Sequence, residues 1–429
     1  MGSRRQKMRT ELVSTLDIYQ VISRAMGAMN ARLLAHGDIV GYIFYNMLKV
    51  EGKYSDTELA EWALIGMLHD VGAIKTNGNR ISLAALESTN VWAHSIYGYL
   101  FLRYLSPVGD KADVVLYHHL PYRLHGQINS TYLREAQYLT IADKMDVFAR
   151  VEGHSMPKDY FSRMSNMDFS QTALERFYLA QRKYNILEKL KTGEYQKEML
   201  ELFTDATFSD RQKKGFLEML VYSIDFRSQQ TVIHTMSTKA FSLEIAKLMN
   251  VGTRDLEILY YGSLLHDIGK IVIPLSILEA PRRLTDEEMR VMKAHVVISG
   301  RILNGLMDER IVNVAVRHHE KLDGTGYPAG LKDEDLSLLE KIVAVGDILS
   351  ALYSKRSYKD SFPPEKIKGI LNGDAQNGKI SKEAVDVVLK NFDVITGQYE
   401  KQRNMTMERY MEIVNQYDSI YEKFKAFDA

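Results

Sequence analysis

No cysteine occurs among the 429 residues of the chain. A disulfide framework, a thiolate zinc site, an iron–sulfur cluster and a cysteine nucleophile are therefore excluded, so any metal must be held by histidine, carboxylate or other oxygen donors. Net charge is also lacking, because 55 lysines and arginines balance 55 aspartates and glutamates. This balance disfavours the binding of long nucleic acid, or of an anionic membrane, through charge alone.

Long apolar segments are lacking as well. No window reaches the ~18 apolar residues that a membrane-spanning helix needs, and the basic stretch 1–11 leads into no apolar segment of the kind found in signal peptides. The composition, 45% hydrophobic and 26% charged, is typical of a globular protein. We therefore expect a soluble, cytoplasmic protein with no membrane partner.

Proline is scarce, with eight residues, and none lies between 158 and 273. Because proline breaks helices, this stretch is expected to be largely helical. Within it an apolar stripe with helical spacing precedes the stop signals Asn250 and Gly252; the stripe consists of Ile233, Met236, Ala240, Leu243 and Ala246. A second helix is predicted from about Thr253. Alternation of apolar and polar residues is weak throughout, so the predicted fold class is mainly α.

A repeated pattern divides the chain into two halves. Segment 68–72 reads Leu-His-Asp-Val-Gly, and segment 265–269 reads Leu-His-Asp-Ile-Gly. Further pairs recur at nearly the same separation: His36 with His234, His94 with His295, His118 and His119 with His318 and His319, and Asp143 with Asp347. Two copies of one helical unit explain this pattern. We predict a first domain over 1–150, a helical connector over 151–225, and a second domain with C-terminal helices over 226–429.

The recurring residues are candidate metal ligands. Twelve histidines occur, and all but His125 and His154 belong to the two sets. Each buried polar side chain needs a partner, and a shared metal centre would satisfy several at once. Imidazole and carboxylate donors without sulfur suit manganese, iron, zinc or nickel. The candidate ligands are His234, His266, Asp267, His295, His318, His319 and Asp347 in the second half, and His36, His69, Asp70, His94, His118, His119 and Asp143 in the first.

The size of each set favours two cations over one. A pair of cations about 3.5–4 Å apart can activate water and clamp phosphoryl oxygens, which is the chemistry of phosphoester hydrolysis. Lys270, one turn beyond His266 and Asp267, is well placed for an anionic phosphodiester. A glycine-rich loop, 323–330, follows the second histidine pair, and its glycines permit positive φ and close backbone approach to a ligand.

Together these motifs resemble the HD superfamily of metal-dependent phosphohydrolases, and residues from about 225 to 400 resemble its HD-GYP branch. The matching motifs are His266-Asp267-Ile268-Gly269-Lys270, Lys293-Ala294-His295, His318-His319-Glu320 and Asp323-Gly324-Thr325-Gly326-Tyr327-Pro328. The resemblance implies two tandem HD-type helical domains joined by a helical connector. It also implies an enzyme that hydrolyses a cyclic dinucleotide, with cyclic di-GMP converted to pGpG, to GMP, or to both.

The resemblance further implies a role for each matched residue. Asp267 would bridge two divalent cations, iron or manganese, and would act in catalysis with Lys270, which holds a substrate phosphate. One cation would also be bound by His234, His266 and Asp347, and the other by His295, His318 and His319. The substrate-binding residues would be Asp323, Gly324, Thr325, Gly326, Tyr327 and Pro328, with Tyr327 against a guanine face. A cyclic dinucleotide is the expected partner, and a homodimer is one expected assembly.

Two positions of the second half depart from the family pattern. Gln230 stands where the three-metal branch has a glutamate, so two metals are expected rather than three. Ser350 replaces the second aspartate of the Asp-x-x-Asp run that begins at Asp347, which puts support of the metal ligands from that position in doubt. The alternatives left open for the chain are cyclic GMP-AMP or another nucleotide phosphoester as substrate, and a nucleotide-responsive regulatory binding protein.

The first half keeps its candidate ligands but lacks the features associated with substrate. Ala73 and Leu120 stand where the second half has Lys270 and Glu320. The glycine-rich loop 323–330, which contains Gly326-Tyr327-Pro328 and is called the GYP loop below, has no counterpart after His119. It resembles a plain HD domain. This half is expected to bind metal, either as a second hydrolase or as a metal-stabilised scaffold that binds nucleotide and regulates its neighbour.

Overall fold

The computed structural model describes residues 11–76, 91–151, 158–227, 229–353 and 362–428. These residues form α-helices and short 3₁₀ segments, and among them there are two isolated β-bridges but no strand. The predicted mainly α fold class is confirmed. The chain forms two compact units: a first unit of Ser14–Ser223 together with the residues from Glu412 onward, and a second unit that contains Ile224–Met411.

The first unit contains most of the shorter helices. They are α1 (Thr15–Met29), α2 (Ala31–Lys49), α3 (Asp56–Met67), α4 (Ala73–Thr76), α5 (Val91–Leu105), α6 (Asp113–Leu116), α7 (Leu133–Val151), α8 (Lys158–Met164), α9 (Gln171–Tyr184), α10 (Ile186–Thr192), α11 (Glu194–Asp205) and α12 (Asp210–Asp225), with 3₁₀ segments at Gly109–Lys111 and Tyr122–Gln127. Residues 158–223, which the sequence placed largely in a helical connector, belong to this compact unit.

The second unit contains the longer helices. They are α13 (Gln229–Leu248), α14 (Thr253–Leu265), α15 (Leu275–Leu278), α16 (Asp286–Leu303), α17 (Glu309–Val316), α18 (Leu338–Tyr353), α19 (Pro364–Gln376), α20 (Lys382–Lys390) and α21 (Phe392–Asp428), whose last residues belong to the first unit, with 3₁₀ segments at Ile268–Val272 and Asp333–Asp335. Helices α13 and α14 correspond to the two helices predicted on either side of Asn250 and Gly252.

Local sequence signals set where several helices begin. Before α1, Ser14 Oγ accepts a hydrogen bond from the Asp17 amide while the Asp17 carboxylate accepts one from the Ser14 amide. The same reciprocal arrangement links Thr285 and Glu288 at the start of α16. Such capping boxes satisfy two otherwise unpaired amides and stabilise the first turn. Helix α16, which begins at this capping box, carries His295.

The core of the second unit lies between two pairs of helices. Helix α13 packs against α18, and α14 packs against α17. A Cβ atom on Gly346 of α18 would overlap Ser242 of α13, so glycine is required at this close crossing. Phe241 and Ile245 of α13 and Val343 of α18 are fully buried, and each such side chain contributes about 1.5–3 kcal/mol to stability. This packing holds the helices that carry the candidate ligands.

Across the described ranges, no helix combines the length and the apolar character that crossing a membrane requires.

Candidate metal centre

The seven candidate ligands of the second half lie in one cluster, although they come from distant parts of the sequence. His234 lies in α13 and Asp347 in α18, His266 and Asp267 directly follow α14, His295 lies in α16, and His318 and His319 follow α17. All are buried except His234 and His319, which are partly exposed. The donor atoms of His234, His266 and Asp267 lie within 4.8 Å of one another, as do those of His295, His318 and His319.

Asp267 joins these two groups of donors. Its Oδ2 lies 3.4 Å from His234 Nε2 and 3.1 Å from His266 Nε2, while its Oδ1 lies 3.2 Å from His295 Nε2. Asp347 Oδ1 lies 3.1 Å from His234 Nε2. The two oxygens of Asp267 thus face different histidine groups, as expected of a carboxylate that bridges two cations.

Three histidine rings are oriented by the backbone. Nδ1 of His266, His295 and His318 lies 2.7, 2.6 and 2.7 Å from a carbonyl oxygen three residues earlier. Since a carbonyl oxygen only accepts, each Nδ1–H donates. In the neutral form of each ring, the Nε2 lone pair then faces the cluster. None of these Nε2 atoms has a hydrogen-bond partner among the described residues, and neither has Asp267 Oδ1.

Whether this site fits a metal can be judged from its buried polar atoms that lack hydrogen-bond partners. Unsatisfied buried polar atoms are costly, and here they are imidazole nitrogens and a carboxylate oxygen, which divalent transition metals prefer. A backbone hydrogen bond from the second ring nitrogen is also the usual support of a metal-bound histidine. The residues therefore fit divalent cations.

The pKa values in the cluster follow from burial and mutual charge. Burial would raise the pKa of Asp267, but the charges of His266 and Lys270 outweigh it and hold that pKa well below its usual range. Burial would lower the pKa of His266, but Asp267 outweighs it and raises that pKa. Burial lowers the pKa of His295 to about 4 and holds that of His318 well below its usual value. The cluster thus combines an ionised carboxylate with two imidazoles, those of His295 and His318, whose neutral form burial favours, as metal binding requires.

Lys270 reaches the same cluster from the 3₁₀ segment Ile268–Val272. Its Nζ lies 2.5 Å from Asp267 Oδ2. Burial would lower the pKa of Lys270, but the charge of Asp267 outweighs it and raises that pKa. The side chain is therefore a cation held beside the central carboxylate.

His266 and Asp267 lie just beyond the end of the second predicted helix. Helix α14 ends at Leu265, and Asp267 has φ −102° and ψ 9°, outside the helical region. The chain then continues as a 3₁₀ segment that packs against α16. The helix ends just before these residues, and both side chains point into the cluster.

Two residues that support this turn received no role from the sequence. Gly269 has no room for a Cβ atom, because one would overlap the carbonyl oxygen of His295. Ser299 Oγ accepts a hydrogen bond from the Gly269 amide and donates one to the His266 carbonyl oxygen, both at 3.0 Å. Gly269 could have been found from the sequence, because a glycine recurs at this position in both halves. No motif in the sequence indicated a role for Ser299.

The GYP loop is attached to the cluster by Glu320. The buried Glu320 carboxylate accepts hydrogen bonds from the amides of Ala329 and Leu331 at 2.7 and 3.0 Å. The Tyr327 ring packs on His319 with 4.7 Å between ring centroids. The loop therefore borders the histidine pair. Glu320 directly follows that pair in the chain, so its hydrogen bonds hold the loop next to the two histidines.

The remaining predicted loop residues shape the turn. Asp323 Oδ1 accepts hydrogen bonds from the amide and the hydroxyl of Thr325 at 2.9 and 2.7 Å, and both residues are exposed. Gly324 has a φ of 79°, which favours glycine. Contact of these residues with a substrate remains a prediction.

Support of His234 by Ser350 is present. Ser350 Oγ lies 3.0 Å from His234 Nδ1 and 2.5 Å from Ser237 Oγ. The hydroxyl therefore occupies the supporting position, without the charge of an aspartate. The Gln230 side chain, on which the expectation of two metals rather than three depends, lies outside the described side chains.

The first unit also gathers its seven candidate ligands into one cluster. Asp70 Oδ1 lies 3.5 Å from His69 Nε2 and 3.4 Å from His94 Nε2, and Asp70 Oδ2 lies 3.7 Å from His36 Nε2. Asp143 Oδ1 lies 3.3 Å from His36 Nε2. The donor atoms of His94, His118 and His119 lie within 4.8 Å of one another.

Residues 218–381 match the protein family described as HD domain. The second half of this chain therefore contains an HD domain, which confirms the resemblance found in the sequence.

Curated relatives align with this chain over different lengths. A 3′3′-cGAMP-specific phosphodiesterase 1 of Vibrio cholerae is 25% identical over 401 residues, which cover 88% of this chain and 92% of the relative. A cyclic di-GMP phosphodiesterase of Thermotoga maritima is 36% identical over 192 residues, which cover 44% of this chain and 52% of the relative. The first alignment thus includes both halves of the chain.

A solved structure supports the fold. The crystal structure of a cyclic GMP-AMP-specific phosphodiesterase of V. cholerae matches with a TM-score of 0.51 and 19% identity, covering 88% of this chain and 97% of that one. This likeness concerns the fold alone.

Proposed function

We propose that the chain is a metal-dependent cyclic dinucleotide phosphodiesterase, that the cluster around Asp267 is its active site, and that 3′,3′-cyclic GMP-AMP is its substrate. The observation that carries the proposal is the set of buried, unpartnered imidazole and carboxylate atoms that converge beside Lys270 and the GYP loop. Such a set suits two cations acting on a phosphodiester.

The proposed reaction adds one water molecule across one P–O3′ bond. The water oxygen bonds to phosphorus, the P–O3′ bond breaks, and the 3′ oxygen takes up a proton. The product is a linear dinucleotide with a 5′-phosphate and a 3′-hydroxyl group. When bound, the two cations would activate the water and neutralise charge on the phosphate oxygens.

The residues of the chain have distinct proposed tasks in this reaction. His266, His295 and His318, fixed by their backbone hydrogen bonds, and Asp267 hold the metal pair in place. Lys270 binds a non-bridging phosphate oxygen and stabilises the negative charge that grows there in the transition state. Its cationic state is already favoured by the neighbouring Asp267 carboxylate, which raises its pKa.

The GYP loop is proposed to form the wall of the pocket that receives a base. Tyr327 lies beside His319, and Lys293 Nζ lies 4.7 Å from the Tyr327 ring centroid. These contacts limit the freedom of the ring before substrate binds, which lowers the entropy lost on binding. We assign Tyr327 to contact with a guanine base.

The extent of the alignments supports the order of substrates. The relative named as 3′3′-cGAMP-specific aligns with both halves, whereas the relative named as a cyclic di-GMP phosphodiesterase aligns with 44% of the chain. Cyclic di-GMP, the first choice from the sequence, is therefore the second candidate, favoured by the 36% identity over the shorter segment.

A substrate panel tests the proposal. Anaerobically purified protein, loaded with Mn²⁺ or Fe²⁺, is incubated with 3′,3′-cyclic GMP-AMP, cyclic di-GMP or cyclic di-AMP, and the products are separated by chromatography. We expect linear dinucleotides, formed fastest from 3′,3′-cyclic GMP-AMP, and none from the His266→Ala, Asp267→Ala variant. Faster cleavage of cyclic di-GMP would reverse the order of substrates. The absence of turnover with every substrate and both metals would refute the enzymatic proposal.

A further inference from the structure

In the ligand cluster of the first unit, two imidazole nitrogens face each other. His36 Nε2 and His69 Nε2 lie 3.2 Å apart. His69 Nδ1 lies 2.7 Å from the Gly66 carbonyl oxygen, which only accepts, so this nitrogen donates the hydrogen bond. His36 Nδ1 lies 2.6 Å from Asp146 Oδ2, so the carboxylate takes the hydrogen bond of that nitrogen. With both Nδ1 atoms engaged, a proton or a cation has to separate the two Nε2 atoms.

Buried carboxylates and a further histidine strengthen the case for cations. Both carboxylate oxygens of Asp70 and of Asp143 are buried and have no hydrogen-bond partner among the described residues, and neither has His118 Nε2. His118 Nδ1 lies 2.6 Å from the Val115 carbonyl oxygen, so the ring is oriented as in the second unit. Two buried carboxylates require compensating positive charge, which a metal pair supplies.

The first unit also holds a lysine that the comparison of motifs alone does not show. Lys144 follows Asp143 in α7, and its Nζ lies 3.7 Å from Asp143 Oδ2. At the corresponding position of the second unit, after Asp347, stands Ile348. Each unit thus has a lysine beside a carboxylate of its cluster, Asp143 in the first unit and Asp267 in the second. The two carboxylates are not equivalent, and the lysines come from different elements.

Lys144 is more exposed than the candidate ligands beside it. The Lys144 side chain is 24% exposed, whereas those of Asp70 and His94 are 4% and 1% exposed. Solvent therefore reaches Lys144 more readily than it reaches these two candidate ligands.

We propose that the first unit contains a second metal-dependent phosphate site, in which Lys144 supplies from α7 the cation that Lys270 supplies in the second unit. The ligand class is a phosphate group, such as that of a nucleotide, bound by two cations and the Lys144 ammonium group. Ala73 stands at the position of Lys270, but under this proposal the first unit still has a lysine at its cluster, which comes from α7.

Metal counting tests the first part of this proposal independently of hydrolysis at the second site. The full-length His266→Ala, Asp267→Ala variant disables the second site and leaves the first intact. After loading with Mn²⁺ and dialysis, elemental analysis should find about two manganese ions per chain. Adding Asp70→Asn, which keeps the volume of the side chain, should remove at least one of them. A variant with an intact first site that retains no manganese would overturn the proposal.

Phosphate binding tests the second part in the same Mn²⁺-loaded variant. Inorganic phosphate, followed by calorimetric titration, should bind at one site per chain. Lys144→Met should weaken this binding about 10- to 100-fold with the manganese content unchanged, because a charge-assisted hydrogen bond is lost. Lys144→Arg should retain most of the affinity, and Lys197→Met, an exposed lysine of the same unit, should have no effect. Equal phosphate affinity with and without the Lys144 charge would refute the assignment.

Discussion

Ser350 Oγ lies 3.0 Å from His234 Nδ1, at the position where Asp146 Oδ2 lies 2.6 Å from His36 Nδ1 in the first unit. A carboxylate makes its imidazole partner a more basic metal ligand than a neutral hydroxyl does. The two clusters therefore share their ligand types but differ in how one histidine is supported. This difference predicts that the two units bind metal with different affinity.

Restoring the carboxylate should strengthen metal binding in the second unit. In a protein that carries Asp70→Asn, which weakens metal binding in the first cluster, Ser350→Asp should raise the Mn²⁺ affinity of the second cluster about 10- to 100-fold. The introduced carboxylate would hold and polarise the His234 ring. Calorimetric titration measures the change. The reciprocal variant Asp146→Ser should weaken Mn²⁺ binding in the first cluster. Equal Mn²⁺ affinity for Ser350→Asp and its parent would show that the supporting charge does not matter.

Removing the Lys270 ammonium group should slow catalysis without removing metal. Lys270→Met should lower kcat about 100- to 1,000-fold, because a charge that stabilises the transition state is lost. Steady-state kinetics and elemental analysis on the same preparation measure both quantities. Lys247→Met, an exposed lysine of the same unit, serves as the control and should leave kcat unchanged. A Lys270→Met protein with normal kcat would assign this lysine a purely structural role.

Weakening the Glu320 anchor should loosen the GYP loop. Glu320→Ala removes the acceptor of the Ala329 and Leu331 amides and should destabilise the fold by about 1–3 kcal/mol. Hydrogen exchange should accelerate at these two amides, and KM should rise while the metal content stays constant. Glu288→Ala, which removes a capping carboxylate at the start of α16, should not accelerate exchange in the loop. Unchanged exchange at Ala329 and Leu331 would contradict the anchoring role.

The metal-free protein should become less stable as the pH falls from about 6.5 to about 4. Burial lowers the pKa of His118 to about 3 and that of His295 to about 4. A histidine with a lowered pKa in the folded state binds its proton more readily when unfolded, so the free energy of unfolding rises with pH through this window. The pKa is lowered in the same direction for His94, His119, His318 and His319.

Two groups oppose this trend, and the measurement has to include them. Burial raises the pKa of Asp38 and of Asp225 to about 7, which makes the folded state the better proton binder between the usual carboxyl range and that value. The six lowered histidines of the two clusters outnumber these two carboxyls, and the pKa of His125 is lowered as well, so the net slope should remain positive. Urea unfolding in the presence of a chelator, at about pH 5 and about pH 6.5, measures it. Greater stability at the lower pH would contradict the neutral state of the histidines.

Much of the candidate site could be inferred from the sequence because the repeat supplied an internal comparison. His266 and Asp267 stand out once their recurrence as His69 and Asp70 is seen, and a buried polar residue that recurs demands a common explanation. The helical class followed from proline scarcity and apolar spacing. Residues 158–223 were harder to place, since whether a helical segment connects two units or packs into one depends on distant contacts.

The parts that the sequence did not reveal depend on tertiary contacts. Ser299 supports the turn after α14 from a different helix, and nothing in its local sequence indicates this. Lys144 and Asp146 lie beside a recognised ligand, yet their roles depend on which way α7 turns its side chains. The end of α14 before His266 was also set by packing, because the following 3₁₀ segment lies against α16.

The most direct test of the central claim is an anomalous difference map, recorded at the manganese edge, from crystals of the Mn²⁺-loaded protein. The account predicts two peaks in the second unit, about 3.5–4 Å apart, one on each side of the Asp267 carboxylate. One peak should be bordered by His234 and His266, and the other by His295. A second unit with no peak at Asp267 would contradict the account.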